Sequence, residues 1–298
     1  MKDNKKHKKA EYGILITGLI ILLAVACIIA LCAGQYSVSV PEVTKILASR
    51  FVNVTKTWSN TAEGVVFTLR LPRIIGAVLV GSALSLSGAA YQGVFKNPLV
   101  APDLLGVSSG ACVGASVAIL LHLNSFGVQA MAFVAGVLFI PRLIKNTNMT
   151  MLVLSGIIVK GIMDSVMGII KYVADPETEL QSITYWQLGS LTKVLPKDLF
   201  TVGPVIVAAS VIIFLLRWRI NILSLGDREA KTLGVSVTVV RNFIIICATL
   251  LTASAVCISG TIGWIGLVIP HFARMLTGPD NMKVIPASIL MGAIFMVV

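Results

Sequence analysis

Charged side chains are scarce in this chain, and one small group of them lies in a pattern that could serve chemistry or binding. Four charged residues fall within five positions, with a glycine on either side. The six residues are Gly226, Asp227, Arg228, Glu229, Lys231 and Gly234. Glycines around a run of charged helix-formers predict a short helix bounded by flexible turns. Because so short a helix is marginal alone in water, we expect a partner surface to dock against it.

This charged group belongs to a polar segment, 222–241, that separates the apolar runs 198–216 and 242–258. In so apolar a chain, the expected partner is a soluble protein at one face of a membrane. An ordinary polar loop between two membrane spans accounts for the same pattern equally well from these residues alone.

A second ionisable pair, Lys160 and Asp164, lies inside the apolar run 149–173. At i and i+4 the two side chains share a helix face and can neutralise each other. Charges within a membrane span usually face a bundle interior or an aqueous cavity. The pair could therefore line a solute pathway or an inner gate, or it could form a structural salt bridge.

Signatures of enzymes are missing from the sequence. It contains no GxxxxGK[ST] phosphate loop, no HExxH and no nucleophile elbow, and its histidines (His7, His122 and His271) are scattered. The five cysteines lie in apolar runs without a CxxC pair. We expect no catalytic residues, no metal site and no bound cofactor in this chain.

Composition indicates a polytopic membrane protein. Of 298 residues, 56% are hydrophobic and 12% are charged, against about 25% charged in soluble domains, and the mean hydropathy is +0.92. Several runs approach the roughly 20 residues that cross a bilayer as helix, and no alternation indicates a barrel. The predicted fold is an all-α transmembrane helical bundle. The net charge of +11 then reflects membrane orientation rather than nucleic-acid binding.

The predicted organisation is a lysine-rich cytoplasmic tail, 1–11, followed by a single transmembrane domain, 12–298. Two polar segments, 34–69 and 174–197, are expected on the outer face, the first packed as short helices. We expect Pro270 to break the eighth span, and counting from an inside N-terminus places 222–241 inside. The nine predicted spans are 12–33, 74–91, 104–121, 126–140, 149–173, 198–216, 242–258, 262–276 and a last one from about 284.

Several ordered blocks of sequence are similar to one family. They are LRLPR at 69–73, SGAAYQ at 87–92, KNPLVAPDLLGVSSG at 96–110, WQLGSL at 186–191, LGDREAKTLG at 225–234, GTIGWIGLVIPHFAR at 260–274 and GPD at 278–280. Together they resemble the permease subunits of binding-protein-dependent ABC importers for iron–siderophores, haem and cobalamin, the FecCD/BtuC-like permeases. The resemblance runs from about residue 12 to residue 298.

The resemblance implies a type II ABC importer permease of ten helices that works as a homo- or heterodimer in a bacterial or archaeal cytoplasmic membrane. An ABC ATPase dimer would bind ATP and Mg below it, and an extracytoplasmic solute-binding protein would dock above. Segment 222–241 would be the coupling element, and its six charged-group residues would contact the ATPase. Arg70 and Arg73 would pair with acids of the binding protein, although arginines beside a span can also be plain headgroup anchors. Asn97 and Pro98 would form an inner turn beside the ATPase or a simple connector.

Two departures from the family pattern stand out. Nine spans rather than ten are recognisable, so we expect the chain to be C-terminally incomplete relative to the family, and the fourth span is short, ending at Pro141. An iron(III)–siderophore complex is the expected solute, with haem or cobalamin as alternatives. Two other classes stay open, a secondary transporter and a non-transporting scaffold, although Asp164 is the one carboxylate deep in a predicted span.

Overall fold

The computed structural model describes residues 2–138, 149–192 and 194–298, and every regular element in those ranges is helical. The predicted all-α bundle is confirmed. A π-helical segment, Val65–Arg70, leads into α4, and a 3₁₀ turn, Pro102–Leu105, precedes α5. The α-helices, numbered in chain order, are α1 Lys2–Cys32, α2 Val40–Ala48, α3 Asn60–Gly64, α4 Leu71–Phe95, α5 Val107–Leu120, α6 Ser125–Val137, α7 Met149–Val173, α8 Glu179–Leu188, α9 Pro196–Leu225, α10 Asp227–Thr232, α11 Val237–Ser259, α12 Ile265–Thr277 and α13 Asn281–Val297.

The centre of the bundle is the contact between α4 and α11. Small and hydroxyl-bearing residues line it. Ser87 Oγ donates to the Ala248 carbonyl at 2.8 Å and lies 2.8 Å from Thr252 Oγ1. The Tyr91 hydroxyl lies 2.6 Å from Thr249 Oγ1. Such contacts let two helix backbones approach closely while their polar groups stay hydrogen-bonded, as membrane interiors require.

Four helical segments among the fully described residues are long enough and apolar enough to span a membrane. By length and composition, the segments Ala10–Cys32, Asn60–Phe95, Pro196–Leu225 and Val237–Ser259 could cross a bilayer. The apolar window is 72% buried in the second and fourth of these but 11% and 28% buried in the first and third. Helices α4 and α11 therefore form the core, whereas α1 and α9 present apolar surface outwards. Four shorter apolar helices, α5, α6, α12 and α13, pack around the core.

Two of the shorter helices begin inside the bundle. A Cβ placed on Gly266, in the first turn of α12, would lie 2.8 Å from Pro102 Cδ and 3.0 Å from the Leu84 carbonyl oxygen. Leu84 is near the middle of α4, so the first turn of α12 and the turn before α5 meet at mid-depth. Irregular backbone at such depth is tolerated where protein surrounds it. Helix α7 packs mainly against α5 and this turn.

The structure corrects the predicted end of one span and the predicted break in another. Helix α9 continues to Leu225, nine residues beyond the predicted end at 216, so the polar segment 222–241 begins inside a helix. Helix α12 runs through Pro270 without a break, although a break was predicted there. The Gly266 carbonyl, which loses its usual donor at Pro270, faces Gln92 Nε2 at 3.5 Å. A neighbouring side chain thus replaces the missing amide and lets the helix continue.

The polar segments contain short helices, as predicted for 34–69. Helices α2 and α3 lie in that segment, where Val43 and Ile46 are buried against Leu31, Val38 and Trp58. Helix α8 lies in the second polar segment, 174–197. Helix α7 has the predicted bounds of the fifth span. The predicted short end of the fourth span at Pro141 and the loop 142–148 lie outside the described residues.

Candidate functional site

The charged group at 226–234 folds as predicted, into a short helix between two glycine turns. Helix α10 has six residues, and Gly226 and Gly234 flank it with φ values of 143° and 76°. Both values lie in the region that side chains other than glycine rarely adopt, so these two positions need glycine. Ala230 is buried and seats the helix on the bundle. The local sequence therefore specifies a compact element that projects between α9 and α11.

An ion pair fixes this helix to the bundle. Asp227 Oδ1 accepts a hydrogen bond of 2.7 Å from Arg241 Nη2 and lies 3.6 Å from Lys96 Nζ. Arg241 is in the first turns of α11 and is 7% exposed, whereas Lys96 directly follows α4. Burial opposes ionisation of Asp227, but the hydrogen bond and charge of Arg241, together with Lys96, outweigh it and hold the Asp227 pKa below its usual range. We name these three residues the coupling clamp.

The clamp leaves the other charged residues of α10 free to face outwards. Arg228, Glu229 and Lys231 are exposed, and so is Leu233, at 58%. Two of the predicted ATPase-contact residues, Arg228 and Lys231, thus carry positive charge on the open side of the helix, while Asp227 points back to the bundle. This surface has the mixture of charge and apolar area that protein–protein interfaces use.

The predicted inner turn lies beside the clamp. Asn97 and Pro98 are both exposed, and Asn97 Oδ1 accepts a hydrogen bond of 2.9 Å from the Leu99 amide. This is a side-chain-supported turn of the kind asparagine favours. Lys96 precedes it with a φ of 53° and ends α4. The turn and α10 are therefore brought to the same end of the bundle through Lys96 and Asp227.

Arg70 and Arg73 lie at the opposite end of α4, about 37 Å away along a helix of 25 residues. Arg70 caps the end of α1, because it donates to the carbonyls of Leu31 at 2.7 Å and Cys32 at 3.3 Å and also to that of Tyr36. In the part of the chain that the structure describes, Arg73 makes no side-chain hydrogen bond or ion pair. Both line a cavity of about 510 Å³. Docking by these arginines stays a prediction, to which the structure adds a capping role for Arg70.

Lys160 and Asp164 lie on α7 with 3.6 Å between Nζ and Oδ2, and their side chains are 44% and 56% exposed. They line a cavity of about 230 Å³ together with Asp103, which precedes α5. Asp103 Oδ1 accepts a hydrogen bond of 2.7 Å from Ser108 Oγ. The cavity lies where α5 and α12 begin. Three ionisable groups therefore face a space inside the bundle.

Three residues of these sites were not predicted: Lys96, Asp103 and Arg241. Lys96 and Arg241 are separated from Asp227 by 131 and 14 positions, and no short motif links them. Asp103 appeared to be part of a loop because it follows Pro98 and Pro102 and directly precedes the predicted third span, 104–121. The available signal for Asp103 was its charge directly beside the apolar run that begins at 104.

Comparison with known proteins decides the family. Residues 22–298 match the FecCD transport family. The chain belongs to the FecCD transport family. It is therefore a multi-pass membrane permease of the ABC importer type, and the resemblance predicted from the sequence blocks is confirmed.

Relatives of this FecCD permease are named for different solutes. The molybdate import system permease protein MolB of Haemophilus influenzae is 37% identical over 96% of this chain and 86% of its own length. A probable iron chelatin transport system permease protein of Helicobacter pylori is 41% identical over 78% of this chain and 72% of its own length. The cobalamin import system permease protein BtuC of Halobacterium salinarum is 38% identical over 80% of this chain and 66% of its own length.

A solved structure shares the fold of the permease. A chain described as an inward-facing ABC transporter of the metal-chelate type superposes with a TM-score of 0.86 at 34% identity. The match covers 96% of this chain and 88% of that one. The arrangement of helices around α4 and α11 is therefore that of an ABC transporter permease.

Proposed function

We propose that this chain forms the pore of an ATP-driven, binding-protein-dependent importer and that α10 receives the motion of an ABC ATPase. The observation that carries the proposal is the coupling clamp. A six-residue helix is not stable alone. Here Asp227 forms ion pairs with the buried Arg241 and with Lys96 at the end of α4, and these hold α10 on the bundle. Force applied to α10 then reaches both central helices as a rigid-body displacement.

The proposed partners are those that the resemblance to the family implies. ATP and Mg are bound by the ATPase dimer, and this chain supplies no catalytic group. Arg228, Glu229, Lys231 and the turn at Asn97 and Pro98 contact the ATPase. A second permease copy, identical or related, completes the pore. The chain lies in a bacterial or archaeal cytoplasmic membrane with its N-terminus and α10 inside.

At the outer end, Arg73 is the docking group for a solute-binding protein. Its guanidinium has no partner among the described residues, and it faces a cavity where a carboxylate of another protein could enter. Arginine grips carboxylates with two parallel hydrogen bonds. Arg70 supports the same surface by holding the end of α1.

Solute passes the cavity that Lys160, Asp164 and Asp103 line. Both side chains line this cavity beside Asp103. Charges within a membrane span usually face a bundle interior or an aqueous cavity, and a solute pathway is such a cavity. We assign the pair to the pathway.

The proposed solute is an iron(III)–siderophore complex, in line with the iron chelatin relative from Helicobacter pylori. Molybdate is a second candidate, because the relative named for molybdate import matches 96% of this chain. The sequence blocks alone did not suggest molybdate.

Reconstitution of the permease with its ATPase and binding protein in liposomes tests the proposal. We expect uptake of radiolabelled ferric siderophore that requires ATP on the ATPase side of the membrane. Excess unlabelled molybdate should not reduce this uptake if the siderophore is the solute, and uptake of labelled molybdate is measured in parallel. Uptake driven by an ion gradient without ATPase would show a secondary transporter instead. Replacing residues 227–231 with a Gly/Ser linker should abolish uptake, and unchanged cellular uptake would favour a scaffold.

A further inference from the structure

We propose that a groove between α4 and α9 binds one anionic phospholipid of the surrounding bilayer. The groove has a volume of about 910 Å³. Its residues come from the segment 50–64, from the π-helical segment with the first half of α4, and from the first turns of α9. None of the coupling, docking or pathway residues described above lines it.

The walls of the groove are apolar along the helix axis. Four residues at four-residue spacing, Phe67, Leu71, Ile75 and Leu79, lie close to one stripe of the helix. The stripe is about 18 Å long, similar to the roughly 15 Å half-thickness of a hydrocarbon core. Leu199 and Phe200 form the facing wall, and Phe200 is 82% exposed. The groove therefore offers one acyl chain an apolar channel that runs into the membrane.

The mouth of the groove carries a net positive charge. The Arg50 guanidinium lies 6.0 Å from the centre of the Phe67 ring and, among the described residues, forms no hydrogen bond or ion pair. The other charges there satisfy each other, because Lys56 Nζ lies 2.7 Å from Glu63 Oε2, which also accepts from Trp58 Nε1 at 3.3 Å. Arg50, Lys56 and Glu63 together leave one positive charge at the end of an apolar channel.

This combination fits an amphiphile with a single negative charge. A phosphodiester can accept two parallel hydrogen bonds from the Arg50 guanidinium. The headgroup of a zwitterionic lipid would bring an ammonium or choline cation close to Arg50 and Lys56, where like charges repel. The expected occupant is thus a lipid such as phosphatidylglycerol, whose headgroup adds no positive charge.

Native mass spectrometry of the purified full chain, titrated with phosphatidylglycerol or with phosphatidylcholine of the same acyl chains, tests the inference. We expect one phosphatidylglycerol to bind in preference to phosphatidylcholine. Arg50→Gln should weaken phosphatidylglycerol binding about tenfold, because a charge-assisted contact is lost. Phosphatidylcholine binding should change less, because loss of its phosphate contact is offset by relief of the repulsion between Arg50 and choline. Ile75→Trp should weaken both lipids by filling the channel.

Arg219→Gln is the matched control, because Arg219 is an exposed arginine towards the other end of α9. It should leave lipid binding unchanged, and circular dichroism should show native helicity for each variant. Equal binding of the two lipids by the wild type would mean a non-specific lipid shell and would overturn the inference. An Arg219→Gln effect as large as that of Arg50→Gln would also overturn it. A cross-link from Phe200→Cys to another protein in the membrane would do the same, because a protein would then occupy the groove.

Discussion

The half-exposed carboxylate of Asp227 accepts a 2.7 Å hydrogen bond from the buried guanidinium of Arg241. This bond joins the short helix α10 to the central helix α11. The two partners are unequal. Asp227 can be removed with little loss of packing, but its removal strands a guanidinium that is 7% exposed. An unpaired buried charge costs more than the pair itself gains in stability. The position of α10 on the bundle therefore depends strongly on this one contact, because a helix of six residues is not stable by itself.

The first prediction concerns Asp227→Ala. We expect about 1–2 kcal/mol of lost stability and a larger loss of solute uptake, at least tenfold, because α10 would no longer transmit displacement to α11. The ATPase partner should still hydrolyse ATP, so the ratio of solute imported to ATP consumed is the measurement. Asp227→Asn, which can still accept the hydrogen bond, should be milder. Glu42→Ala, which removes a partly exposed acid from α2, is the control, and equal effects of the two alanine variants would contradict the clamp.

The second prediction is a pH dependence. The folded-state pKa of Asp227 is held below its ordinary value of 3.8, so the pair contributes stability that is fully present above about pH 4 and lost as pH falls through the lowered value. Melting temperatures of the wild type and Asp227→Asn should therefore differ at pH 6 and converge at the acid end. A gap that persists below that window would show that Asp227 acts by something other than its charge.

The sequence predicted most of the fold because its signals are local. The apolar run of α7 gave its bounds, and the glycines around Asp227–Lys231 gave α10. The extension of α9 to Leu225 was missed because Asn221 and Ser224 make its last turns polar, yet Ile222 and Leu223 are buried. Tertiary contact overrode the polarity that suggested a loop.

Long-range pairing set the limit for the candidate site. The clamp needs Lys96, Asp227 and Arg241 to meet, and their positions in the chain carry no periodicity that indicates it. The same holds for Pro270, where the missing amide is offset by Gln92, a residue 178 positions earlier. Both are properties of the packed bundle, so local pattern could not reveal them.

The third prediction separates Arg70 from Arg73. Arg70→Gln removes guanidinium bonds to the carbonyls at the end of α1, so we expect about 1–3 kcal/mol of destabilisation and a lower melting temperature. Arg73→Gln should melt like the wild type but bind the solute-binding protein about tenfold more weakly. The two variants control for each other, since they are neighbours that make the same chemical change. Identical melting and binding behaviour of the pair would contradict the division of roles.

The fourth prediction tests the close approach of α4 to α12. A Cβ on Gly88 would lie 1.8 Å from the Gly266 carbonyl oxygen, so Gly88→Ala must separate α4 from α12 and should cost about 1–3 kcal/mol or prevent folding. Gly161→Ala is the control, because a Cβ there would meet nothing within 4 Å. Thermal melting in detergent measures both, and a Gly88→Ala protein as stable as Gly161→Ala would show that these helices do not touch as described.

The last prediction assigns Lys160 and Asp164 to the pathway. Replacing both partners leaves neither charge unpaired, so the double variant Lys160→Leu/Asp164→Leu should melt within about 1 kcal/mol of the wild type. Solute uptake should nevertheless fall, because the cavity would keep the Asp103 carboxylate but lose the positive charge of Lys160 that lines it. Uptake at normal membrane insertion is the measurement, and Lys171→Leu, on the same helix, is the control for removing a lysine from α7. Wild-type uptake by the double variant would leave the pair a structural salt bridge, whereas restoration by Asp103→Asn would locate the defect in the cavity charge.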